Sequence, residues 1–284
     1  MKQSVSFRDL GTMDYKTAWD YQESLLQANV RLKSEAKKEK LGRSEPVLAL
    51  TSAQTTTDDQ LQMRSPRPDD SVGQAKSETN HVPEAILNSE LNTQNYLLFV
   101  EHLPVFTLGK NGNMNNVLMS EERLGERGIE FFRTNRGGDI TFHGPQQIVG
   151  YPTLDLETFD TDLGHYHRNL EQVIILILGD YDIAAGRSTG ETGVWIDAGT
   201  KGKERKICAI GVRCSRWITM HGFAFNVNTD LSYFNLIIPC GIQNKQVTSL
   251  KKELGKEVDM EEVKRRVKKN FEKVFDATLV DFGA

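Results

Sequence analysis

Three groups of residues have the types and spacing to do chemistry. The densest is Arg136-Gly137-Gly138-Asp139-Ile140-Thr141-Phe142-His143-Gly144-Pro145. Adjacent glycines let a backbone approach a ligand closely and present its N–H groups as donors. With Arg136 and His143 as polar partners, this block reads as an anion- or carbonyl-binding turn; the plainer reading is a glycine-rich hairpin with a hydrogen-bonded histidine. The second is Cys240, flanked by Pro239 and Gly241 just after the apolar run Leu236-Ile237-Ile238. A thiol so placed is either held in a fixed turn at the edge of a pocket or is a buried, inert side chain, the commoner fate of a lone cysteine. A nucleophilic cysteine needs a neighbour that favours the thiolate. Lys206, His143 and His221 are the candidates. Lys206 opens the apolar run Lys206-Ile207-Cys208-Ala209-Ile210-Gly211-Val212 after the charged stretch 199–205, where a solvated loop charge is the ordinary expectation. Cys208 and Cys214 share one face of that strand with Ile210 and Val212, and packing accounts for them.

These groups need a scaffold. Tyr15, Trp19, Leu26 and Val30 form one apolar helical stripe, with Lys16, Asp20 and Glu23 on the polar face. Short β-like runs follow at Tyr96–Val100, Val105–Leu108, Ile129–Arg133 and Ile148–Tyr151, then a helix over His165–Leu178 stopped by Gly179. Val194–Asp197, Lys206–Cys214 and Trp217–Asn228 read as strands, the last two as a hairpin. Asp259 and Glu262 suggest a capping box ahead of a helix carrying Val263, Val267 and Phe271. Strands and helices are interspersed without strict βαβ alternation, which predicts an α+β fold with a mixed β-sheet. Between Tyr21 and Tyr96 there is no aromatic residue, and four of the eight prolines fall there. The polar stretch at about 33–90 buries too little apolar surface to offset its ordering entropy. It is expected to be a flexible insertion in a single domain spanning 1–284.

Composition narrows the functional classes. The 284 residues carry 35 basic and 39 acidic side chains, a net charge of −4, which argues against a nucleic-acid binder. The longest aliphatic run, Val173 to Leu178, is far below the ~18 residues that cross a bilayer. The first residues lack an apolar signal core. Three cysteines without a CxxC make neither a disulfide framework nor a zinc site. A cytoplasmic protein without bound metal is expected.

Taken together, Arg136-Gly137-Gly138-x-x-Thr141-Phe142-His143-Gly144-Pro145-x-Gln147-x-Val149-x-Tyr151 closely resembles the signature of the lipoate-biosynthesis octanoyltransferases, also called lipoyl(octanoyl) transferases. The segments Glu101–Lys110, Lys206–Val212, His221–Asn228 and Ile238–Ile242 resemble the family's upstream segment, lysine strand, following strand and nucleophile turn. The likeness covers about residues 11–30 and 95–250. Two departures stand out: Gln146 occupies a position where the family usually has Gly or His, and the 33–90 insertion is outside the family pattern.

The resemblance implies a fold like the biotin and lipoate protein ligase catalytic domains. It implies a Cys/Lys dyad, with Cys240 as nucleophile and Lys206 as its partner. Residues Arg136, Gly137, Gly138, Asp139, Ile140, Thr141, Phe142 and His143 would line the octanoyl site, together with Ala209, Ile210, Gly211, Gly222, Phe223 and Ala224. The reaction implied is octanoyl transfer, through a Cys240 thioester, from octanoyl-acyl carrier protein to a lysine of lipoyl domains in 2-oxoacid dehydrogenase complexes or of the glycine cleavage H protein. It needs no cofactor and no ATP, and the enzyme is expected to be a monomer without nucleic-acid or membrane partners. The rival readings are an ATP-dependent lipoate or biotin protein ligase, which would not need Cys240, and a non-catalytic acyl-carrier-binding protein.

Overall fold

The computed structural model describes residues 2–42, 92–238 and 246–282. Its elements in chain order are β1 (Gln3–Met13), α1 (Tyr15–Gly42), β2 (Tyr96–His102), β3 (Val105–Leu108), α2 (Glu121–Glu126), β4 (Glu130–Arg133), β5 (Ile140–His143) and β6 (Gln147–Thr153). There follow α3 (Leu163–Gly179), β7 (Ala185–Gly186), β8 (Val194–Ile196), β9 (Arg205–Ser215), β10 (Ile218–Asn226), β11 (Gln246–Val247), α4 (Leu250–Leu254), α5 (Met260–Phe275) and β12 (Ala277–Asp281).

The large sheet runs β12-β1-β2-β6-β10-β9-β8-β7, with β11 joined to β9; a small sheet runs β4-β3-β5. β1 pairs in parallel with both β2 and β12, while β6, β10 and β9 pair antiparallel, so the sheet is mixed as expected. Burial explains the composition of the strands. β10 and β6 are buried at every position, and their sequences do not alternate because both faces are covered. In β9, from Cys208 onward, the apolar residues Cys208, Ile210 and Val212 alternate with the partly exposed Ala209, Gly211 and Arg213.

Two helices cover one face. Leu170, Val173, Ile174 and Ile177 of α3 and Val263, Val267 and Phe271 of α5 share a core cluster with Phe99, Ile148, Ile210 and Phe225 of the sheet. Asp162 caps α3 by accepting the His165 N–H at 2.9 Å, and Asp259 caps α5 by accepting the Glu261 N–H at 3.0 Å. No reciprocal capping box forms at α5: the Glu262 carboxylate takes Arg266, at 2.6 Å, instead of turning back to the cap. The other face receives α1, whose Ala18 and Leu25 pack on Leu98, Val149, Tyr151 and Ala224.

α1 is longer than its apolar stripe foretells. It continues to Gly42, and Lys33 is docked, with its ammonium 2.6 Å from Asp155 and 3.1 Å from Glu157. The start of the 33–90 stretch is therefore helix; residues 43–91 lie outside the described residues. Among the described residues no helix is long and apolar enough to cross a membrane.

Candidate active site

A cavity of about 560 Å³ lies between the 136–143 segment on one side and β9 and β10 on the other. Lys206, Arg136, Gly137, Gly138, Asp139, Ile140, Thr141, His143, Ala209, Ile210, Gly211, Gly222, Phe223 and Ala224 all line it. Of the expected lining residues that are described, Phe142 alone does not. Alternation along β5 turns Thr141 and His143 to the cavity and Phe142 away, where its ring stacks on Tyr233 at 4.4 Å and packs against Phe106 and Phe234.

The glycine turn is held from three sides. The Gly137 N–H donates to the Val212 carbonyl at 2.9 Å, which docks the turn on β9. Gly211 permits that approach: a Cβ there would sit 2.9 Å from the Gly137 carbonyl oxygen. Gly138 has φ +86°, a left-handed conformation that disfavours side chains. The buried Arg136 guanidinium donates to Thr107 O at 2.6 Å, Thr107 Oγ1 at 2.9 Å, Asp139 O at 2.8 Å and Gly137 O at 2.9 Å. Arg136 thus braces the turn on β3, and the Gly137 N–H is already engaged rather than open to a ligand.

Asp139 faces a second task. Its carboxylate accepts the Asn113 N–H at 3.1 Å and the Asn116 side-chain amide at 2.5 Å. Asn116 in turn accepts the Ile238 N–H through its carbonyl at 2.8 Å, beside a Val117–Ile237 bridge. The turn is tied in this way to the chain that leads toward Cys240.

His143 is a buried link in a polar chain. Its Nδ1–H donates to Gln147 Oε1 at 2.9 Å, Gln147 Nε2 donates to Asn226 Oδ1 at 2.8 Å, and Asn226 Nδ2 donates to the Thr248 carbonyl at 3.0 Å. Burial, and then His102 and Arg136, push its pKa well below the usual 6.5, so the ring is neutral and positions rather than titrates. His102 accepts the Tyr151 hydroxyl at 2.7 Å and is held down to about 4 by burial.

Lys206 lies on β9, and the Thr248 N–H donates to its carbonyl at 3.0 Å. Cys240 lies outside the described residues. The described chain on both sides of it reaches the cavity: Phe234 and Val247 are lining residues, and Val247 pairs with Lys206. Burial raises the thiol pKa of Cys208, which stays protonated in the core as its strand position suggests.

Several lining residues escaped the sequence reading. Tyr15 belongs to the helical stripe that reads as core, yet its ring also stacks on His143 at 6.0 Å and faces the cavity; burial lifts its phenol to about 12. Gln147 and Tyr151 were signalled only by their place in the motif. Gln146 adopts φ +63°, the backbone shape a glycine would take there. Its N–H donates to Glu101 at 2.9 Å and its side-chain oxygen accepts Asn228 at 2.9 Å, so the turn keeps its shape without glycine.

A mixed sheet with a buried lysine-lined cavity under a glycine turn defines a class, and comparison identifies it: the chain belongs to the family of the lipoyl protein ligase A/B catalytic domain, whose model matches residues 78–272. Among relatives, an octanoyltransferase of Flavobacterium johnsoniae is 46% identical over 281 residues, 99% of this chain and 100% of the relative. An octanoyltransferase of Christiangramia forsetii is 45% identical over 98% of this chain and 99% of its own length. A crystal structure of lipoate-protein ligase A bound with ATP shares the fold, with TM-score 0.54 at 15% identity over 66% of this chain and 76% of that one.

Proposed function

We infer that this chain is an octanoyltransferase of protein lipoylation: it moves an octanoyl group from octanoyl-acyl carrier protein to a lysine of lipoyl domains through a Cys240 thioester. The observation that carries the reading is the cavity, which brings Lys206, the glycine turn and both flanks of the Cys240 segment together. The acceptors are lipoyl domains of 2-oxoacid dehydrogenase complexes and the glycine cleavage H protein, and the enzyme works as a cytoplasmic monomer.

In the first step the Cys240 thiolate attacks the carrier thioester carbonyl. Its collapse forms octanoyl-Cys240 and expels the carrier thiolate, which takes a proton from the Lys206 ammonium. In the second step the neutral ε-amine of the acceptor attacks octanoyl-Cys240. The nitrogen loses its proton to Lys206, the amide forms, and Cys240 leaves as thiolate beside a regenerated ammonium. Lys206 therefore stabilises the thiolate electrostatically and carries one proton between leaving thiol and incoming amine. Backbone N–H donors to the oxyanion would be worth ~3 kcal/mol each. The apolar lining of Ile210, Val212 and Phe223 receives the acyl chain, at ~0.8 kcal/mol per buried methylene.

Intact mass after incubation with octanoyl-carrier protein tests this. One octanoyl group should appear on the wild type and none on Cys240→Ser. A Cys240→Ser protein that still octanoylates a lipoyl domain from ATP and free octanoate would overturn it in favour of a ligase.

A further inference from the structure

We propose that Trp195 is the positioning residue for Lys206: the face of its indole holds the lysine ammonium at the cavity. The proposal rests on the reading of Lys206 as the partner of Cys240. Lys206 Nζ lies 4.6 Å from the centroid of the Trp195 ring. Trp195 is 2% exposed, so the indole side of the contact is shielded from water while Lys206 is half-buried, and Trp is the aromatic face that attracts a cation best.

The strands are built for this pairing. Val194 pairs with Cys208 and Trp195 with Lys206, so β9 carries one extra residue, Ile207, between the two pairs. Such a bulge re-aims the side chains beside it, and directly opposed residues share a face. Gly193 lets the two strands close up beside the bulge: its φ is +116°, and a Cβ there would lie 2.5 Å from the Cys208 carbonyl oxygen while only touching Lys206 Cε at 3.6 Å. The Gly193 N–H is fixed by the buried Glu171 carboxylate at 3.0 Å, and Glu171 is itself paired with Arg187 at 2.8 Å.

Arg205 and Glu171, both close to Lys206, are engaged in ion pairs of their own. Arg205 is held by Glu253 at 2.8 Å and by Asp197, and Glu171 by Arg187. Glu191 lines the same cavity and Glu204 precedes β9. An indole face attracts an ammonium without accepting its proton, which suits a lysine that must give up its proton in one step and regain it in the next.

Fluorinated tryptophans test the idea, because they weaken the ring's negative face while leaving its shape. They would be incorporated in a Trp19→Phe, Trp217→Phe background that leaves Trp195 as the remaining tryptophan. As fluorines are added, the apparent pKa for alkylation of Cys240, followed by peptide mass, should rise. The kcat for octanoyl transfer should fall about tenfold overall, with KM within twofold. Trp195→Phe should fall between wild type and Trp195→Leu. An alkylation profile and kcat indifferent to fluorination would overturn the proposal, as would Trp195→Phe being as impaired as Trp195→Leu. Lys206→Ala, run alongside, separates the two levels. If it leaves the Cys240 profile at wild type, the dyad itself fails; if it shifts the profile while fluorination does not, only the role of Trp195 fails.

Discussion

His143 and His221 line the cavity and His102 packs behind His143, its ring 5.8 Å away; burial depresses the pKa of all three imidazoles. His102 falls to about 4 and His221 to about 3, while His143 is driven well below 6.5, in every case chiefly by desolvation. The unfolded chain binds protons at these rings near pH 6.5, whereas the folded chain does not until far lower. Stability is therefore complete above about pH 6.5 and drains as the pH falls toward 4, by up to ~1.4 kcal/mol per pH unit for each ring. Urea unfolding at pH 7, 6 and 5 should show this slope, and His102→Gln should flatten it by about one ring's share. The carboxylates with lowered values, such as Glu253, lose their contribution only below about pH 4.5, outside the pH 7 to 5 range of that measurement. By the same logic the pH profile of octanoyl transfer should show no inflection belonging to His143. Gln146 makes a separate residue-level case. Gln146→Gly relieves a left-handed backbone costing ~1–2 kcal/mol, but loses the bond to Asn228 and gains chain entropy when unfolded. Opposing effects of similar size predict a stability change within ~1 kcal/mol by thermal melting.

At the scale of elements, the cavity depends on how closely strands and turn approach each other. Gly222 of β10 packs against β6 so tightly that a Cβ would lie 2.2 Å from the Gly150 carbonyl oxygen, a backbone atom that cannot step aside. Gly222→Ala should therefore cost ~3 kcal/mol or more and lower the melting temperature sharply. The Asp139–Asn116–Ile238 chain couples two elements that are far apart in sequence. Asn116→Ala should leave the melting temperature within a few degrees but reduce the rate at which Cys240 is acylated, read by intact mass against time; an unchanged rate would show that the Asn116 amide to Asp139 bond does not couple the turn to the Cys240 segment. Much of this architecture was legible beforehand. β2, β3, β9, β10, α3 and α5 follow from apolar runs or stripes that burial makes obligatory. β1 was not, because only Val5 and Phe7 of its eleven residues are buried and its pairing partner β12 lies at the other end of the chain. Phe142 was placed at the cavity because a motif shows which residues cluster but not which face of β5 each takes. Tyr15 escaped because one side chain serves both packing and the cavity, and periodicity reports only the first.

For the whole molecule, the question is what the polar stretch between α1 and β2 contributes. Its two ends are firmly placed. Asn29 exchanges two hydrogen bonds with Gln94, at 2.7 and 2.9 Å, which closes the chain just before β2. Lys33 neutralises Asp155, whose side chain is 3% exposed, and Arg216 donates to Ser34 Oγ at 2.6 Å. The boundary of what can be removed thus falls beyond residue 34 rather than at 33. Lys33→Ala, which strands a buried carboxylate, should cost ~3 kcal/mol in chemical denaturation. Replacing residues 38–90 by a linker of about six Gly and Ser residues is a different matter. Residue 37 stands eight residues beyond Asn29, about 12 Å along the helix axis, a span that such a linker covers. Loop closure changes by only ~0.6 kcal/mol per doubling of length, so the shortened chain should be at least as stable as the full one. If the stretch is an insertion in a single domain with no part in chemistry, octanoyl transfer to a lipoyl domain should stay within twofold of the full chain. A shortened protein that keeps its melting temperature and its acylation of Cys240 but loses transfer to the acceptor would instead assign the stretch to acceptor capture, since the first half-reaction and the fold would both have survived its removal.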